Sequence, residues 1–185
     1  IRHGLPRGTK VGHAGTLDPL ATGLLILGIG PGTKKLGALS GLDKVYEAEI
    51  TLGATSQTDD AEGPIMPVKS VAVPSREQLE ASLKKFSGQI EQVPPVYSAK
   101  KIHGKKHYEL ARSGKPEIPK AQTVTIYAID LIDYSFPKVG LKINCSTGTY
   151  IRSIARDLGA ALGTGGYLTA LRRLSIGEFN VKAAV

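Results

Sequence analysis

Tryptophan is absent from this sequence, and Phe and Tyr bring the aromatic share to only 5%. So few rings exclude an extended stacking platform for single-stranded nucleic acid. Cysteine occurs once, at Cys145, which rules out an internal disulfide and any zinc cluster built on cysteines. No apolar run approaches the ~20 residues of a bilayer-spanning helix; the longest, residues 24–29, is strand-sized. The opening Ile1-Arg2-His3-Gly4-Leu5 lacks the apolar core of a secretory signal. Internal repeats and low-complexity tracts are missing as well. Acidic residues are in the minority: 16 Asp and Glu against 24 Lys and Arg leave a net charge of +8 and a pI near 9.6. That excess points to a polyanionic partner, most simply nucleic acid.

What is present suits one soluble globular domain. The chain has 185 residues, 41% hydrophobic, with a mean hydropathy of −0.06, enough for a core but with little room for a second domain. Residues 1–10 read as a basic loop, and residues 11–19 show no clean periodicity. Residues 24–27 read as a buried strand, stopped by Gly28, Gly30, Pro31 and Gly32. Residues 44–53 alternate, with Tyr46, Ala48, Ile50 and Leu52 on the apolar face of a half-buried strand. The polar stretch 53–63, carrying Asp59, Asp60 and Glu62, reads as a solvated loop. Ser75 and Gln78 form a capping-box pattern ahead of Leu79, Leu83 and Phe86, which predicts a helix up to Gly88. Residues 94–120 form a basic insertion with a short helical piece around 107–112. Strands are predicted at 122–134 and 138–145, joined by a turn at Pro137. A helix follows at 149–162, with Ile151, Ile154, Ala155, Leu158 and Leu162 buried and Arg152 and Arg156 off that stripe. The C-terminal piece, from Tyr167 on, ends in a short strand. The pattern predicts an α+β fold with a mixed, mainly antiparallel sheet flanked by helices.

Several motifs fail on inspection. The Gly28-Ile29-Gly30-Pro31-Gly32 run has neither the third glycine of a dinucleotide loop nor the Lys-Ser/Thr of a P-loop, and reads as a turn. His103 and His107 lack the glutamate of a zinc-protease helix. No Gly-x-Ser-x-Gly elbow occurs. Asp59-Asp60-Ala61-Glu62-Gly63 reads as an acidic turn in solvent rather than a cation site.

One segment stands out: Gly12-His13-Ala14-Gly15-Thr16-Leu17-Asp18-Pro19-Leu20-Ala21-Thr22-Gly23. A carboxylate fixed between a glycine turn and a proline has few local partners. By itself this also fits a turn Asp capping the next element. The whole string, however, closely resembles the catalytic motif of the tRNA pseudouridine synthase B family, the bacterial stand-alone enzymes that modify the T-loop uridine. The similarity continues through Lys44-Val45-Tyr46-Glu47-Ala48, through Pro95, Tyr97-Ser98-Ala99 and Gly104-Lys105-Lys106 of the basic insertion, through Cys145-Ser146-Thr147-Gly148-Thr149-Tyr150-Ile151-Arg152, and through Leu171-Arg172-Arg173. These motifs are ordered, spaced and spread over nearly the whole chain.

The resemblance implies an RNA-modifying isomerase of the pseudouridine synthase fold, needing no cofactor and no metal. Asp18 would be the carboxylate beside the sugar C1′, as nucleophile or as stabiliser of cationic character. Whether it attacks the sugar, attacks the base or assists an elimination stays open. Arg152 would pair with it and keep it ionised. Tyr46 would lie against the uracil, a weak base at best and more safely a stacking group. Tyr150 and Leu171 would wall the uracil pocket. His13 would fill the gap left when the uridine is flipped out. Lys34, Arg172 and Arg173 are phosphate candidates, as are the seven basic residues from Lys100 to Lys120. The expected partner is the T-arm stem-loop of tRNA, met by a monomer in the cytoplasm. Two readings compete with this one: a non-catalytic tRNA-binding or folding module, and a subunit guided by a separate RNA. Family members usually begin with a strand and an Asp-Lys-Pro-x-Gly-x-Thr-Ser segment, and continue past the Arg-Arg motif into a C-terminal domain. On that reading residues 1–185 form one catalytic domain incomplete at both ends, with an unpaired sheet edge that lowers its stability.

Overall fold

The computed structural model describes residues 2–98, 101–102, 105–106 and 119–184. Near the N-terminus β1 (Val11–Ala14) pairs antiparallel with β3 (Ile26–Ile29), and β2 (Ala21–Gly23) lies in the connection between them. A 3-10 turn over Gly30–Lys35 leads into the short helix α1 (Leu36–Ser40). The expected buried strand at 24–27 is therefore corrected. The strand is shifted to 26–29, and because its ribbon has only two strands, Leu25, Leu27 and Ile29 keep 37–43% of their surface exposed.

The period-two run forms β4 (Lys44–Leu52), with Lys44, Tyr46, Ala48, Ile50 and Leu52 all buried on one face. The stretch after it is not a plain loop. β5 (Ala54–Ser56) and β6 (Ile65–Pro67) make a hairpin around it, and Asp60 is buried. Helix α2 (Arg76–Leu83) starts at the predicted capping box: the Ser75 hydroxyl accepts from the Gln78 amide, and the Gln78 side chain accepts from the Ser75 amide. Then come β7 (Gly88–Gln92), the two-residue strands β8 (Lys101–Ile102) and β9 (Lys105–Lys106), β10 (Gln122–Ser135) and β11 (Lys138–Cys145). The short helix expected around 107–112 lies outside the described residues, as do His103 and His107.

Helix α3 (Ile151–Ala161) and strand β12 (Gly166–Ile176) follow, with β13 (Phe179–Asn180) at the end. The eleven-residue β12 is the largest departure from the sequence reading, which placed only a short strand near the C-terminus. It pairs antiparallel along the whole of β4, where its Arg172 and Arg173 stand opposite Glu47 and Tyr46. The seven-stranded sheet runs β13-β12-β4-β11-β10-β7, with β2 added in parallel beside β12. This is the mixed, mainly antiparallel α+β architecture expected.

One face of the sheet carries the core. Ile50, Leu141, Ile143 and Leu168 from the strands meet Ile154 and Leu158 of α3 and Leu79 of α2, all fully or almost fully buried. Each such side chain contributes roughly 1.5–3 kcal/mol of burial free energy. Helix α3 approaches the sheet so closely that a Cβ on Gly159 would stand 2.1 Å from the Gly166 amide nitrogen. That contact anchors the C-terminal half of α3 beside Gly166, opposite Leu52 of β4, while the first residues of the helix share a cavity with Tyr46 at the other end of the strand.

Candidate active site

The pocket forms where four segments meet at one end of the core face. The Gly12–Gly23 motif leaves β1, turns at residues 15–19 and rejoins the sheet through β2. The turn is closed by the Ala21 amide donating to the Asp18 carbonyl at 2.9 Å. Beyond it the Leu24 amide donates to the Arg173 carbonyl at 2.8 Å. At Gly23 (φ +93°) the chain passes β12 so tightly that a Cβ would lie 2.2 Å from the Arg173 oxygen, a position only glycine accepts. Asp18 thereby faces the start of α3.

Arg152, the second residue of α3, is 5% exposed and reaches into the same space. Its Nη2 bonds Asp18 Oδ1 at 2.9 Å. Its Nη1 donates to the carbonyls of Thr58 and Tyr97, both at 3.1 Å, and lies 3.3 Å from Asp60 Oδ2. The other Asp60 oxygen accepts from the Thr58 hydroxyl and the Glu62 amide. The solvated acidic turn expected here is thus corrected. Asp60 is a buried ion-pair partner of Arg152, and Asp59 pairs with Arg156 at 2.9 Å. Arg156 also holds Asp157 and the Val93 carbonyl. Neither aspartate announced this role in the sequence, since both partners come from a helix far along the chain.

Burial and neighbouring charges shift several groups of the pocket. Burial pushes the Asp18 carboxyl above its ordinary 3.8; Arg152 pulls it down, and the Asp60 charge pushes it up again. Burial also raises the Tyr46 phenol, while the nearby Arg173 guanidinium draws it back. Lys44 is lowered by burial and by the nearby Arg173 charge; its Nζ donates to the Ser40 and Leu42 carbonyls. Tyr150 sits at the N-cap of α3, with its phenol raised by burial. The buried Gln92 grips that residue from both sides, accepting from its amide at 2.8 Å and donating to its carbonyl at 3.1 Å.

Asp18, Tyr46, Tyr150, Arg152, Leu171 and Arg173 line one cavity of about 320 Å³, joined by Lys44 and Thr147. That volume falls at the small end of ligand sites. His13 stands exposed on β1, Lys34 is exposed in the 3-10 turn, and Arg172 is exposed on the opposite face of the sheet, so none of the three lines the cavity. Reading Arg173 as a phosphate contact is corrected. It is wholly buried, with its Nε on the Leu24 carbonyl at 2.8 Å and its Nη2 on the Gly15 carbonyl at 3.1 Å. Lys44, Asp60 and Gln92 are site residues that sequence reasoning did not single out. Lys44 alone had a signal, as the first residue of the Lys44-Val45-Tyr46-Glu47-Ala48 motif. Among the described residues no group of three His, Cys, Asp or Glu side chains is arranged to hold a metal ion.

Residues 3–151 match the family model for the TruB family pseudouridylate synthase N-terminal domain, and residues 152–185 match that for the tRNA pseudouridylate synthase B C-terminal domain. The chain belongs to the TruB family. The junction of the two matches falls inside α3, so the TruB pocket draws Asp18 and Tyr46 from one and Arg152, Leu171 and Arg173 from the other. The chain is 48% identical over 183 residues to the tRNA pseudouridine synthase B of Cupriavidus metallidurans, covering 98% of this chain and 58% of that protein. With the Thermobifida fusca protein of the same name it is 45% identical, covering 95% and 62%. This TruB chain therefore spans about three fifths of the length of those relatives. A chain from the crystal structure of a Cbf5-Nop10-Gar1 complex superposes with a TM-score of 0.70 at 27% identity, covering 92% of this chain and 41% of that one.

Proposed function

We propose that the chain converts the T-loop uridine of tRNA to pseudouridine, acting as a monomer on the T-arm stem-loop in the cytoplasm. The observation that carries this is the Asp18–Arg152 pair at 2.9 Å, set in a pocket with a tyrosine face and an apolar wall. The reaction is an isomerisation. The N1–C1′ bond breaks, the uracil turns, C5 joins C1′, the C5 proton leaves and N1 ends protonated, so the composition is unchanged and no redox partner is needed. Asp18 is the group beside C1′, and the Arg152 guanidinium keeps that carboxylate charged against the cost of burial. Tyr46 lies against the base, while Tyr150 and Leu171 close the walls around it. With its phenol raised by burial, Tyr46 serves better as a stacking surface than as a base.

A uridine inside a folded loop must leave its stack to enter such a pocket, at a cost of a few kcal/mol. His13, exposed on the ribbon that delivers Asp18, is the side chain to occupy the vacated space. Lys34, Arg172 and the basic insertion supply phosphate contacts that set register. The names of the relatives at 45–48% identity favour tRNA over a guide-directed substrate.

The test is release of the C5 proton from 5-tritiated uridine in an unmodified T-arm stem-loop. The chain should release tritium and form pseudouridine, and Asp18→Ala should do neither. Equal product from Asp18→Ala would overturn the mechanism. Binding of the stem-loop without conversion would establish the module reading instead.

A further inference from the structure

Among the described residues Arg173 is the one wholly buried charged side chain at the pocket, and no carboxylate pairs with it. Holding a bare guanidinium out of water costs several kcal/mol unless dipoles replace the solvent. Here the dipoles are the carbonyls of Gly15 and Leu24, which bracket Asp18 in the chain. The backbone of the same residue completes the arrangement, since its carbonyl receives the Leu24 amide at 2.8 Å. On the neighbouring strand Arg173 stands opposite Tyr46, and both line the cavity.

We propose that Arg173 is a positioning residue: through its main chain and its guanidinium it holds both ends of the Asp18 loop against β12. This rests on the function proposed above, and extends it by assigning a buried arginine to the aim of the carboxylate. Without the clamp, residues 15–24 keep the β2 pairing, the Thr22 hydroxyl on the Leu171 carbonyl and the packing of Leu20 and Ala21 on the core, all C-terminal to Asp18. They also keep Arg152, the group whose approach to Asp18 they must define. Displacement of a reacting group by about 1 Å costs on the order of a hundredfold in rate. Lysine keeps the charge but has a single nitrogen in place of the Nε and Nη2 that meet the Leu24 and Gly15 carbonyls separately.

The experiment compares the full chain with Arg173→Lys and Gly23→Ala. The second variant leaves the guanidinium in place but drives a Cβ into the Arg173 carbonyl. Amide exchange across residues 15–24 should quicken about tenfold to a hundredfold in both, while the β4–β11 amides keep wild-type protection. In single-turnover conversion of the stem-loop, both variants should lose about a hundredfold in rate with affinity for the RNA unchanged. Wild-type exchange and rate in Arg173→Lys would overturn the proposal. Loss of protection throughout the sheet would overturn it too, by showing a purely structural role. If the wild-type chain binds RNA but does not turn over, the functional reading fails, and the exchange result alone still decides the clamp.

Discussion

Asp18 and Asp60 share one guanidinium, yet their surroundings give them opposite effects on stability. Asp18 keeps 29% of its side chain exposed, and burial raises its pKa. An acid raised on folding binds its proton more readily in the folded state. Its contribution is therefore full below the unfolded value of 3.8 and is lost as pH rises through the folded pKa. Asp18→Asn, whose amide oxygen still accepts from Arg152, should melt at or above the wild-type temperature at pH 7, with the gap closing below pH 3.8. A clear drop in melting temperature at pH 7 would contradict this. Asp60 is 4% exposed and satisfied by two further donors as well as by Arg152. Its removal strands part of a buried charge, so Asp60→Ala should cost about 3 kcal/mol, read as a shift of the urea midpoint at unchanged slope. The catalytic reading adds a kinetic expectation. The acid limb of the rate profile for stem-loop conversion should lie above pH 3.8, since Asp18 acts as the anion.

At the scale of elements, the readable ones were those whose signal is local. The capping box at Ser75 and Gln78 needs only residues three apart, and the alternation in β4 needs only its own length. Ser75→Ala should accordingly cost about 1 kcal/mol by thermal melting. Strand β12 escaped notice because it is buried on both edges and in part on both faces, so Tyr167, Leu168, Leu171 and Arg173 do not alternate cleanly with polar residues. A fully buried arginine inside a strand reads as surface to any pattern based on hydropathy. The place of Gly159 was hidden as well, since its need arises from the backbone of residues 165 and 166. Gly159→Ala should push α3 off the sheet and displace Arg152, lowering both melting temperature and conversion rate. A variant as stable as wild type would show that the helix can retreat without loss.

Across the whole molecule, the net charge of +8 predicts salt-sensitive RNA affinity. Lys34→Ala should lower the slope of log affinity against log salt by about 1 if that side chain meets a phosphate. The sequence by itself determined the fold class and the family, and put forward Asp18, Tyr46 and Arg152 as the proposed catalytic set, because ordered motifs and local periodicity survive in one dimension. Tertiary structure alone decided which charges are buried and with whom. Asp60 reaches Arg152, and Arg173 reaches Gly15 and Leu24, across sequence separations that no local pattern records. The physical reason is desolvation. A charged side chain looks the same in a sequence whether water or a carbonyl surrounds it, and only the packed sheet and helix determine which of the two does.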